Sequence, residues 1–172
     1  MTLKKCLKFL HTLGAVGMTG ALAAYMLLLT ITPPPSELSE YALMRQAMGV
    51  LCTWLLFPSL GIVILSGLIA IGVNRAFHDV GWVWAKLLLG ISAFEGTLVA
   101  VQGPAQREAE RATAALAGEL DPALLAGSID SEWGALMVIM AVALANIVLG
   151  VFRPRFMRRP TSSGPEREAR DA

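Results

Sequence analysis

Three ionisable side chains, His11, Lys86 and Glu95, stand inside otherwise apolar stretches. Titratable groups in a bilayer are costly to hold, so each needs a chemical or structural reason. His11 lies in LKFLHTLGAVGMTG. A neutral imidazole is a good haem-iron ligand, and equally a donor to a carbonyl or water near the membrane surface. At helical spacing His11 is followed by Gly14, Met18, Ala21 and Tyr25, flanked by Gly17 and Ala24. Small residues let a neighbouring helix or a flat ligand approach the backbone closely. Gly14 and Gly17 are therefore expected to admit either the third helix or a cofactor-binding groove, in which His11 would be the iron ligand.

Lys86 has Gly90, Ala93 and Thr97 on its face. Those small neighbours argue for an inward position, whereas its shallow depth also allows the amine to snorkel to the surface. Glu95 is nine residues further on, which places it on the opposite helix face and ~13 Å away along the axis. Its neighbours are Leu88, Ile91, Leu98 and Val99, so an interface with another helix or chain is expected there. Met44, Met48 and Cys52 repeat every four residues, with Met26, Met137 and Met140 at matching depth on other segments. Soft sulfur ligands suit Cu(I), and methionine also fills irregular apolar gaps. Asn146 is expected to hydrogen-bond between helices. Phosphate-binding loops, dinucleotide fingerprints, HExxH, CxxC and serine elbows are all missing from the sequence, which excludes the common soluble enzyme classes.

The elements that must position these residues follow from composition. The chain is 55% hydrophobic, too apolar for an ordinary small soluble domain. Four segments, at about Phe9–Ile31, Ala47–Val73, Val80–Val101 and Trp133–Phe152, are each long enough to cross a hydrocarbon core of about 30 Å. The expected fold is an all-α integral membrane four-helix bundle over residues 1–159, followed by a polar, disordered tail at 160–172. The first segment runs past the usual length of a signal-peptide core, so it reads as an uncleaved helix despite Ala21-Leu22-Ala23.

Charge sets the orientation. With the N-terminus inside, the cytoplasmic segments hold Lys4, Lys5, Lys8, Arg75, Arg153, Arg155, Arg158, Arg159, Arg167 and Arg170. The other side holds only Arg45, Arg107 and Arg111, together with the acids from Glu37 to Glu132. Both termini are expected in the cytoplasm of a bacterial inner-membrane protein. The basic tail then meets anionic lipid rather than nucleic acid. Cys6 and Cys52 fall at opposite ends, so no disulfide is expected.

The connections add detail. PPPSELSE ends the first helix, with Ser36 as a plausible N-cap and 37–48 as an amphipathic lead-in to the second. Pro58 is expected to kink the second helix. NRAFHDVGW makes the second and third helices antiparallel neighbours. AQREAERATAALAGEL reads as a surface helix in a long extramembrane loop before the fourth segment, with Arg107/Glu110 and Glu108/Arg111 pairs. Asp121 starts a turn, and Asp130 or Ser131 can cap the fourth helix.

Several short motifs resemble one family. KFLHTLGAV resembles the Lys-x-Leu-His start of the HemJ-type protoporphyrinogen oxidases. GWVWAKLLL is similar to that family's Trp-x-x-x-Lys-Leu segment, VLGVFRPRF to its terminal basic-Pro-Phe end, and Ser66-Gly67-Leu68 to its second helix. The chain also resembles a related group of predicted integral membrane proteins and, more loosely, the copper-resistance D membrane proteins. The HemJ resemblance implies b-type haem, His11 as its ligand, and Lys86 as a propionate contact or a catalytic proton donor. The sequence departs from that family elsewhere. Glu95 and Thr97 stand near the position of its later third-helix histidine, and the Asn-Glu opening its fourth helix is missing. Three functions therefore compete: haem or porphyrin binding, a non-catalytic subunit assembling through Glu95, and copper handling by the Met/Cys stripe.

Overall fold

A computed structural model describes residues 3–74, 81–125 and 129–152, and side chains at 129 and 130 are left aside. Among the described residues all regular structure is helical. The order is α1 (Leu3–Ile31), α2 (Leu38–Leu51), a π turn (Cys52–Leu56), α3 (Phe57–Val73), α4 (Gly81–Thr97), a second π turn (Leu98–Gln102), α5 (Gly103–Leu116), a 3₁₀ turn (Pro122–Leu125) and α6 (Ile129–Phe152). The connection at 75–80, the tail at 160–172 and the basic residues Arg75 and Arg153 to Arg170 lie outside the described residues.

Four spans are long and apolar enough to cross a membrane, as the sequence leads one to expect. Two are longer than expected. Leu38–Val73 and Gly81–Leu116 are each 36 residues of unbroken helix. At ~1.5 Å per residue each runs ~54 Å, well beyond the ~30 Å apolar layer. The amphipathic lead-in and the Ala-rich helix are thus continuations of the second and third membrane helices.

Each long helix changes pitch once. The Phe57 N–H bonds to Cys52 O and the Gly103 N–H to Leu98 O, five residues back in both cases. Pro58 and Pro104 follow immediately as second residues of α3 and α5. A proline has no N–H for the carbonyl four residues earlier. Those carbonyls belong to Trp54 and Ala100, both inside the π turns. The irregularity expected at Pro58 therefore appears as a widened turn just before it. Ser36 does not cap α2: Glu37 holds the N-cap position and makes no side-chain cap bond.

The π turns separate two packing regimes. Beyond them α2 lies on α5, whereas within the bundle α3 lies on α1 and α4 on α6. The main core gathers Met18, Leu22 and Tyr25 of α1, Leu60 of α3, and Leu136 and Ile139 of α6. A second, smaller cluster of Tyr41, Ala42, Ala112, Ala115 and Leu125 belongs to the α2–α5 layer. Exposed apolar residues such as Val16, Leu65, Leu88 and Val138 cover the outside of the spans. The four tryptophans divide by level, with Trp82 and Trp84 at the start of α4, near the end that carries the chain's first helical turn, and Trp54 and Trp133 at the opposite end. Such belts mark the two membrane surfaces.

Burial thins out toward the end where α1 begins. No residue of α6 beyond Ala143 is buried, and Val83 is the last buried residue of α4 on that side. The α1–α3 pair and the α4–α6 pair meet through α3–α4 and α1–α6 contacts, and His11 and Lys86 belong to the two sides of that seam.

Candidate functional site

His11 is fixed by α3. Its Nδ1 lies 3.0 Å from Val63 O and 3.1 Å from Ser66 Oγ. A carbonyl can only accept, so Nδ1 carries the proton in that bond. Ser66 Oγ donates to Ile62 O at 2.5 Å, which leaves its lone pairs for the histidine. The neutral ring then carries its free lone pair on Nε2, which makes no hydrogen bond among the described residues. Nδ1–H on a backbone carbonyl is the arrangement that orients a metal-binding histidine and fixes its tautomer. Gly67 faces the ring: an added Cβ would make ordinary van der Waals contact with His11 Cε1 at 3.6 Å.

Lys86 comes from the other helix pair. A methyl group at Gly150 would lie 2.7 Å from Lys86 Nζ, so the ammonium rests against α6 at Gly150, and the flexible lysine tip would have to shift to admit a larger residue. Its charge acts on the His11 imidazole across the seam. Asn146 is one turn along α6 from Gly150. Its Oδ1 is buried without a hydrogen-bond partner, so the expected interhelical bond is not formed.

Gly14 and Gly17 face α3 directly. An added Cβ at Gly14 would meet Ser59 O at 2.8 Å, and one at Gly17 would collide with the Ser59 hydroxyl. The close approach they permit is used by α3, which brings Val63 and Ser66 to His11.

A second polar constellation occupies the other end, ~21 Å along α1 from His11. Arg45 of α2, only 1% exposed, points its Nη1 at both carboxylate oxygens of Glu132 on α6, at 3.0 and 2.8 Å. Tyr25 of α1 donates to Glu132 Oε2 at 3.2 Å, and the Tyr41 ring stacks under the guanidinium at 5.2 Å. Tyr41 also donates to Glu108, which pairs with Arg111 at 2.9 Å. The expected Glu108/Arg111 pair is formed, and the expected Arg107/Glu110 pair is not among the described ion pairs. Reading the sequence did not find the Arg45–Glu132 pair. The available signal was position: Tyr41, Arg45, Met48 and Cys52 fall on one helical face, and all are buried.

The sulfur stripe is partly gathered. Met48 and Cys52 are fully buried in the main core, with Met26, Met44 and Met140 packed against it, while Met137 is 58% exposed on another face. Both cysteines are free. No cluster of three or more His, Cys, Asp or Glu ligands occurs among the described residues. Glu95 is exposed on the outside of α4, away from Lys86, as its spacing requires.

Residues 5–154 match the model of a family described as predicted integral membrane proteins, DUF2269. Neither a curated protein nor a solved structure matches the chain.

Proposed function

The chain belongs to the DUF2269 family of integral membrane proteins, and we propose that it holds a planar tetrapyrrole, b-type haem or a porphyrin, in the seam beside His11. The observation that carries this reading is the imidazole: Nδ1–H is tied to Val63 O at 3.0 Å, and Nε2 is left as a lone-pair donor. The donor chemistry fits a haem iron, and an iron bound there would supply a redox-active centre. Lys86, on the opposite wall, would pair with a propionate. Asn146 Oδ1, buried and unpartnered, offers a further polar contact at the same level.

The same reading sets the side of the membrane. Lys4, Lys5 and Lys8 lie at the His11 end, and the basic residues after Phe152 follow the helix that returns there. By the positive-inside rule this end is cytoplasmic, which puts both termini in the cytoplasm. Propionates near the surface would then face lysines and cytoplasmic water.

The test is the visible spectrum of the purified protein before and after haem is supplied. A Soret band is expected, and His11→Ala abolishes or shifts it while the α-helical circular dichroism is retained. Protein that shows no Soret band after haem addition rules out axial ligation at His11.

Glu95 favours a second reading as an assembly partner. A carboxylate exposed among Leu88, Ile91 and Val99 on a lipid-facing surface is costly unless another chain meets it. Blue-native sizing is expected to show an oligomer for the wild type and a smaller species for Glu95→Leu. A monomer in both would remove this reading.

A further inference from the structure

We propose that α2 and α5 form a lid that lifts as one unit, hinging at the two π turns, and carries Arg45 out of its buried seat on Glu132. Three independent features of the fold support it.

The first is how the layer is built. The α2–α5 pair is knit internally: Gly49 sits against Ala105 and Ala109, and Gln46 Nε2 donates to Thr113 Oγ1 at 3.1 Å. It has its own small core around Tyr41 and Ala112, separate from that of the bundle. α2 contacts α5 far more extensively than it contacts α1. The pair meets the bundle through Met48 and Ala105, at the edge of the main core, and through Arg45 on Glu132. A unit with its own core can open locally without global unfolding.

The second is the hinge. Gln106 Nε2 donates to Thr53 Oγ1 at 3.3 Å, which sets the first π turn beside the start of α5 and hence close in level to the second. Both long helices therefore leave α-geometry at nearly the same depth, and both have a proline within two residues of the break. Breaks in the hydrogen-bond ladder of this kind are where helices bend.

The third is what the lid carries. Arg45 spends Nη1 on Glu132, but Nε and Nη2 are buried with no hydrogen-bond partner. The Tyr41 ring of the same helix lies against the guanidinium, 5.2 Å from centroid to Cζ. A buried ion pair with unmet donors is a weak clamp, because the desolvation of the charge is not fully returned. Lifting α2 gives those N–H groups the oxygens of water or of an anion; it withdraws Met48 and Ala105 from the edge of the main core and leaves the α2–α5 core intact.

Cys52 is a native reporter. It is fully buried, free, and the first residue of the hinge under α2. In nanodiscs, on a Cys6→Ser background, labelling by a neutral, membrane-permeant maleimide is expected at Cys52 about tenfold faster than at the thiol introduced by Ala143→Cys with Cys52→Ser. Ala143 is equally buried in the same core, but it lies on α6, ~16 Å along the axis from Glu132 and away from α2, so lifting the lid does not expose it. Glu132→Gln, which weakens the tie, is expected to speed labelling at Cys52 and not at position 143. Equal rates at the two positions, no labelling of Cys52 short of unfolding, or an equal acceleration at both in Glu132→Gln would each overturn the lid.

Discussion

Glu132→Ala is expected to destabilise the closed structure by about 3–5 kcal/mol, the largest effect of any single polar substitution among the described residues. The reason is the state of Arg45 rather than the strength of its bond. The guanidinium is 1% exposed and Glu132 4%, so removing the carboxylate leaves a charge in a dry site. Tyr25 loses its acceptor at the same time. Replacing both partners by apolar residues of similar size, Arg45→Met with Glu132→Leu, is expected to recover most of the loss, because no charge then needs solvating. Denaturant or thermal unfolding followed by far-UV circular dichroism measures both variants. A loss of only about 1 kcal/mol in Glu132→Ala would mean that Arg45 finds water without unfolding the bundle, as it does when the lid swings away. The labelling rate at Cys52 tells these two cases apart.

The four membrane spans were legible because span length is set by bilayer thickness, and apolar runs of that length are unmistakable. The ends of the second and third spans were not. Before Cys52 in the second span and after Gln102 in the third the helices turn polar, and polarity reads as a loop even where hydrogen bonding continues without a break. Pro58 reinforces that impression, since a proline normally ends or kinks a helix, whereas here a π turn absorbs it. The pairing of His11 with a residue of α3 was latent in Gly14 and Gly17, whose small size calls for a close neighbour. The identity of that neighbour needed the fold. Arg45 and Glu132 are 87 positions apart, and each reads locally as a solvated charge near a helix end. Only the helical register of Arg45 with Tyr41, Met48 and Cys52 betrays its burial. The position of Lys86 against Gly150 shows the same limit, because a glycine near a helix end carries no sign of what rests on it.

The close approach of α1 to α3 yields the other large effect. Gly14→Ala is expected to lower stability by about 1–3 kcal/mol, the range for forcing extra volume into a packed interior. The new methyl group would sit 2.8 Å from Ser59 O and 3.0 Å from both Ile62 Cγ2 and Val63 Cγ2. A backbone oxygen cannot rotate away, so the helices themselves must separate. Gly17→Ala should be milder, because the atom in its way is the Ser59 hydroxyl, which can turn aside. Gly20 has nothing within 4 Å of an added Cβ, so Gly20→Ala is expected to be neutral or stabilising by up to about 1 kcal/mol through helix propensity. Unfolding midpoints should therefore fall in the order Gly20→Ala, Gly17→Ala, Gly14→Ala from highest to lowest. Equal midpoints for Gly14→Ala and Gly20→Ala would show that α1 and α3 are further apart than described. The consequence reaches the candidate site as well. Val63, one of the two side chains the Gly14 methyl would push, carries the carbonyl that orients His11. Gly14→Ala is thus expected to perturb the spectrum of any haem bound at His11, although it touches neither the imidazole nor the seam.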